Sequence, residues 1–139
     1  MSKEKFSIKE SEREYLIKEL FPYCDFFYIL GSYGTSRFNE KESDIDIAAH
    51  FKKEVTFEQE RKLLFSLSDH FDRDVDLVNL RTSDPIFIRQ VLETGHLMFV
   101  ENPAEHHLWV ATKLSQYIDF KIDRSIIEKN LLKRKKITG

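Results

Sequence analysis

Asp44-Ile45-Asp46-Ile47 constrains this chain more than any other stretch. Strict alternation of acidic and aliphatic residues suits a strand with one buried and one polar face, because successive side chains of a strand point to opposite sides. Asp44 and Asp46 then project together, while Ile45 and Ile47 bury. Further along, the run Arg73-Asp74-Val75-Asp76-Leu77-Val78 repeats the design and adds an acidic residue, Asp76, thirty residues after Asp46 and within a second short apolar strand. Upstream, Phe26-Phe27-Tyr28-Ile29-Leu30 is too short for a helix and is closed by Gly31-Ser32, which reads as a strand over Asp25–Leu30 buried on both faces.

Between these strands the helix signals are clear. Ser7-Ile8-Lys9-Glu10 has the form of a capping box ahead of Tyr15, Leu16 and Leu20, with Pro22 closing the helix. Thr56-Phe57-Glu58-Gln59 is a second box, followed by Leu63, Leu64, Leu67 and Phe71 at helical spacing. Asp84-Pro85 opens a third helix through Ile88, Val91 and Leu92, and Gly95 is placed as its stop. A strand over His96–Val100 follows. Beyond Pro103, Leu108, Ala111, Leu114 and Ile118 form one stripe, and Ile127 with Leu131 begin another after Asp123. The expected architecture is α/β: a mixed sheet with flanking helices and a helical C-terminal tail. One domain spans residues 1–139, with a core over about 7–100 and C-terminal helices over about 103–135.

Composition narrows the function classes. With 139 residues, 41% of them apolar and twelve Phe, the chain has enough material for a core. A net charge of −2 argues against a protein that coats nucleic acid. The single cysteine, Cys24, permits no internal disulfide and no Cys-based zinc site, which suits a reducing cytoplasm. No stretch reaches membrane-spanning length, and the polar N-terminus lacks a signal-peptide pattern.

A site built from Asp44, Asp46 and Asp76 is electrostatically costly. Two like charges about 4 Å apart repel by roughly 4 kcal/mol at an effective dielectric near 20. Either one acid keeps a proton or a divalent cation sits among them. Mg²⁺ suits such a site, since it takes few protein carboxylates and fills its remaining positions with water and substrate phosphate. Gly31-Ser32 offers the matching phosphate cradle: glycine lets backbone N–H groups approach an anion, and the serine adds a hydroxyl donor.

Gly-Ser, a gap, Asp-X-Asp and a third Asp in an apolar strand together resemble the minimal nucleotidyltransferases of the polymerase-beta-like superfamily. The segment Ile88–Phe99 resembles the helix-Gly-strand ending of those domains. In length and layout the chain is similar to the MNT-type antitoxins that accompany HEPN ribonuclease toxins in prokaryotes. Two departures stand out. Tyr33 to Ser43 is one residue longer than the usual spacing, which a surface loop absorbs at small entropic cost. Gly34-Thr35-Ser36 stands where relatives often carry Ala-Arg-Gly or Ala-Thr-Gly, leaving Arg37 as a candidate phosphate contact.

The resemblance implies an enzyme that moves AMP from ATP to a tyrosine hydroxyl of a HEPN toxin, in a hetero-oligomer, with no direct nucleic-acid partner. Asp44, Asp46 and Asp76 would be the catalytic and metal-holding residues, two Mg²⁺ ions the cofactors, and Gly31 and Ser32 the nucleotide grip. A non-catalytic antitoxin that occludes its toxin, and a stand-alone transferase acting on a small molecule, are the alternatives. Spacing does not choose between Asp74 and Asp76, and the resemblance favours Asp76; an ion pair with Arg73 or a lysine would account for Asp74. His50 could approach a nucleotide from the end of its strand. His96, His106 and His107 read as surface residues, and Lys133-Arg134-Lys135-Lys136 as a solvated tail.

Overall fold

Strand β1 (Cys24–Leu30) is the second strand from one edge of a four-stranded sheet ordered β3-β2-β1-β4. Its neighbours β2 (Ile45–Phe51) and β4 (His96–Val100) both run antiparallel to it. Strand β3 (Val75–Asn79) lies parallel to β2 at the other edge. Parallel neighbours need a crossover, here supplied by helix α2 (Phe57–Phe71). The computed structural model describes residues 5–138, with side chains through residue 130. The Lys133–Lys136 cluster and Leu131 lie outside the described side chains.

Alternation sorts the sheet into two cores. Phe27, Ile29, Ile45, Ile47 and Val75 point into a core shared with Leu16 and Leu20 of helix α1 (Glu10–Leu20) and Leu63 and Leu67 of α2. Phe26, Tyr28 and Ala48 point to the other face, against Ile88 and Val91 of helix α3 (Pro85–Thr94) and Trp109 of helix α4 (Pro103–Thr138). Each fully buried Phe, Leu or Ile contributes roughly 1.5–3 kcal/mol of transfer free energy. Asp46 and Asp76 belong by register to the face of α3 and α4.

The helix signals fare differently. Thr56 and Gln59 form the full reciprocal box at the start of α2, and Asp84 accepts the Phe87 N–H ahead of Pro85. The Ser7 box does not form: α1 begins at Glu10 with Lys9 as its cap, and the Ser7 N–H donates instead to the Gly34 carbonyl at 2.8 Å. Gly95 ends α3 without a left-handed turn (φ −75°); a Cβ there would meet the Val91 carbonyl oxygen at 2.6 Å and Leu30 Cδ2 at 2.9 Å. Close packing, rather than backbone handedness, asks for this glycine.

The C-terminal segment is one helix of 36 residues, where the two stripes broken at Asp123 were expected to form separate helices. It docks through His106, Trp109, Lys113 and Tyr117, while the stripe Leu108, Ala111, Leu114 and Ile118 faces outward. No helix among the described residues is long and apolar enough to cross a membrane.

Candidate active site

The site lies where β1 ends and β2 begins. In the register, Asp46 sits between Leu30 of β1 and Asp76 of β3, so two carboxylates stand side by side on adjacent strands, on one face. Asp44 precedes β2 and is exposed. Three influences raise the Asp46 pKa above the ordinary carboxylate value: burial first, then the charges of Asp76 and Asp44. All three act in the same direction, as the repulsion anticipated from the sequence requires. Among the described residues no three acidic, imidazole or thiol groups are gathered tightly enough to cage an ion as they stand. The donor set is nevertheless all hard carboxylate oxygen with charge to spare, which fits a divalent cation that also takes oxygen from a substrate.

Gly31 explains why the turn is glycine. Its φ is +67°, and a Cβ would lie 2.6 Å from Asp46 Oδ2, so both conformation and space exclude a side chain. The backbone thereby comes flush against the acid. Beyond it, the Thr35 N–H and hydroxyl both donate to the Ser32 carbonyl, at 2.9 and 2.6 Å, closing a turn that places Gly34 at φ +83°. Tyr33 turns inward, edge-on to Phe38 and Phe71, and burial pushes its hydroxyl pKa up to about 12. It therefore packs within the loop.

The loop closes in a knot at Asn39–Ser43, where the Ser43 hydroxyl accepts the Asn39 N–H at 3.0 Å and the Asn39 carbonyl accepts the Ser43 N–H at 2.8 Å. Arg73 clamps this knot. Its guanidinium donates to the Ser43 carbonyl at 3.1 Å and lies over the Phe38 ring at 4.7 Å, next to the residue that presents Asp44. The expected ion pair of Arg73 with Asp74 is replaced by this use of the cation. Arg73 is thus a supporting residue that spacing did not single out, although its position just ahead of Asp74-Val75-Asp76 was the available signal.

A cleft of about 260 Å³ opens beside the acids, lined by Gly31, Asp46, Asp76 and Val78 on the sheet side and by Phe87, Gln90, Val91 and Thr94 of α3. Asp44, Ser32 and Asp74 are not in its lining. Sequence reasoning missed the α3 wall, since Gln90 and Thr94 look like ordinary exposed helix positions.

The histidines lie elsewhere. His50 points to the opposite end of the sheet, 3.0 Å from Asp25 and stacked on Phe26. His106 is buried against the Tyr28 hydroxyl at 2.6 Å, and His96 is half-buried and stacked on Phe6; only His107 is the surface residue expected. The period of α4 turns His106 inward with Trp109, a fact the adjacent pair of histidines conceals.

The profile of the family described as Polymerase beta, Nucleotidyltransferase matches residues 13–104, which hold Gly31, the paired acids and the α3 wall. The chain belongs to this family. As a member it is a nucleotidyltransferase with the mixed α/β fold expected for that class. The protein adenylyltransferase MntA of Shewanella oneidensis is 27% identical over 112 residues, covering 81% of this chain and 79% of that protein. A crystal structure of a toxin–antitoxin pair with AMP-PNP superposes with a TM-score of 0.70 at 25% identity, over 90% of this chain and 99% of the other. So does a structure of a tri-AMPylated Shewanella oneidensis HEPN toxin in complex with an MNT antitoxin, with the same TM-score of 0.70, 25% identity and 90% and 99% coverage.

Proposed function

We propose that this nucleotidyltransferase moves AMP from ATP to a tyrosine hydroxyl of a partner HEPN ribonuclease and so silences it. The observation that carries the reading is the Asp46–Asp76 pair, held in register beside a glycine that leaves no room for a side chain, with a cleft open in front. MntA and the AMPylated toxin complex supply the substrate class by similarity.

In this reading Asp44, Asp46 and Asp76 would hold Mg²⁺, as two ions, which would neutralise phosphate charge. Gly31 and Ser32 grip the outgoing phosphates through backbone N–H groups and the serine hydroxyl. Asp76 orients the acceptor hydroxyl and takes its proton. The hydroxyl oxygen bonds to the α-phosphorus as the bond from that phosphorus to the bridging oxygen breaks, and pyrophosphate leaves. Positioning and charge neutralisation suffice, and no enzyme nucleophile is required. AMP on the toxin adds bulk and negative charge where RNA phosphate would bind.

Helix α4 supports the choice of a protein acceptor. Leu114, Ile118, Ile122 and Ile126 recur every fourth residue, and the three isoleucines are each more than half exposed. An outward aliphatic stripe of this kind suits a helical partner in a hetero-oligomer. The test is to mix the purified pair with Mg²⁺ and ATP and weigh the HEPN protein. Mass gains in steps of one AMP are expected, and no gain rejects the proposal. Asp44→Asn with Asp46→Asn should abolish both the gain and protection of cells; protection by that variant would instead establish a stoichiometric occluder.

A further inference from the structure

The segment 5–9, just ahead of α1, crosses the loop that leaves β1. It is tied at two points. The Phe6 ring stacks on the His96 imidazole with centroids 4.3 Å apart and planes 11° from parallel, which fixes it to the first residue of β4. The Ser7 N–H donates to the Gly34 carbonyl at 2.8 Å, which fixes it to the loop. Phe6 and Ile8 also join the core side of the sheet, where Tyr33 and Phe38 of the loop pack.

The loop has two glycines with positive φ, and each is filled against something. A Cβ on Gly31 would strike the Asp46 carboxylate. One on Gly34 would strike the Phe6 ring and lie 3.0 Å from Ile8 Cγ2. The turn Ser32–Thr35 is therefore pressed between the acid on one side and the N-terminal segment on the other. In its absence the Gly34 carbonyl would lose its donor and Gly34 its cover, and glycine is the residue with most conformational freedom to regain.

We propose that Phe6 is a positioning residue for nucleotide binding: through Gly34 it holds the Gly31–Ser32 backbone in the conformation that receives phosphate. The inference rests on the reading of Gly31 and Ser32 as the phosphate grip. It also accounts for the glycine at position 34, because a side chain there could not accept the aromatic strap.

The test compares Phe6→Ala, Phe6→Leu and Phe6→Tyr in the full chain, at a temperature where circular dichroism shows each folded. Binding of Mg-ATP is measured by titration calorimetry, and hydrogen exchange is followed at residues 31–38. Phe6→Ala should weaken ATP binding about tenfold and speed exchange in the loop, with kcat at saturating ATP changed less than about twofold. Phe6→Leu, which keeps apolar cover without the ring stack, should fall between, and Phe6→Tyr should bind within about twofold of the parent. Unchanged ATP affinity in folded Phe6→Ala and Phe6→Leu overturns the proposal while leaving the nucleotide reading intact. A parent chain that binds no Mg-ATP overturns that reading, and this one with it.

Discussion

The two ends of the sheet, viewed on the face covered by α3 and α4, treat polar side chains in opposite ways. At the end away from the site, Asp25 meets His50 at 3.0 Å and Tyr28 meets His106 at 2.6 Å, both beside the rings of Phe26 and Trp109, and the Arg81 Nε donates to the Phe51 carbonyl at 2.9 Å. At the other end Asp46 is crowded by two more acids and by a glycine at φ +67°. Satisfied groups stabilise; mutually repelling ones cost stability and persist where a bound cation or substrate offsets them. The contrast separates ionisable residues that hold the fold from those that do chemistry, and explains why five histidines contribute none of the proposed catalytic groups.

Substitution at the acidic end should cost activity and spare the fold. Asp46→Asn is expected to lower kcat for AMP transfer by about 10³-fold or more. The same change removes a repelled charge, so its Tm should rise by about 1–3 °C in a thermal scan at neutral pH. A fall in Tm would break the comparison. Gly31→Ala forces a side chain into the carboxylate at an unfavourable φ and should cost about 10²-fold in kcat/KM.

At the other end the effects should appear in stability alone. His106→Ala leaves the Tyr28 hydroxyl without its partner and opens a void under α4, for roughly 2–3 kcal/mol in a denaturant titration, with kcat nearly unchanged. The smallest effect is in pH. Burial, with the neighbouring His107, holds His106 below its usual value; burial, against the opposing Asp25 bond and with Arg81, does so for His50. The folded state therefore binds fewer protons than the unfolded chain near pH 6.5, so stability is full above that pH and is lost as pH falls through the depressed values. Tm measured from pH 7.5 down to 5 should decline by a few degrees, roughly, and less steeply in His106→Ala. An equal slope in both would show that His106 does not carry the linkage.

Local signals were legible where the chain satisfies them locally. Thr56 with Gln59, and Asp84 with Pro85, each act within one turn, and alternation over residues 44–47 and 74–78 was enough to place the two strands, whereas the choice of Asp76 over Asp74 came from the resemblance and Asp44 falls just ahead of β2. Reading failed where a distant partner wins. Ser7 surrenders its cap because Gly34 takes its N–H, Arg73 ignores Asp74 for a carbonyl thirty residues back, and His106 is buried by the phase of α4. The α3 wall of the cleft was invisible for the same reason: Gln90 and Thr94 acquire a neighbour in Asp46 only once the crossover is made.

Because Asp46 and Asp76 lie on parallel strands joined through α2, their juxtaposition depends on β3 docking at one register only. A slip by a single residue would turn Asp76 to the opposite side of the sheet and present Leu77 to the cleft. Misassembled molecules of this kind would be inert instead of aberrant catalysts, so the topology confines transferase power to correctly zipped copies.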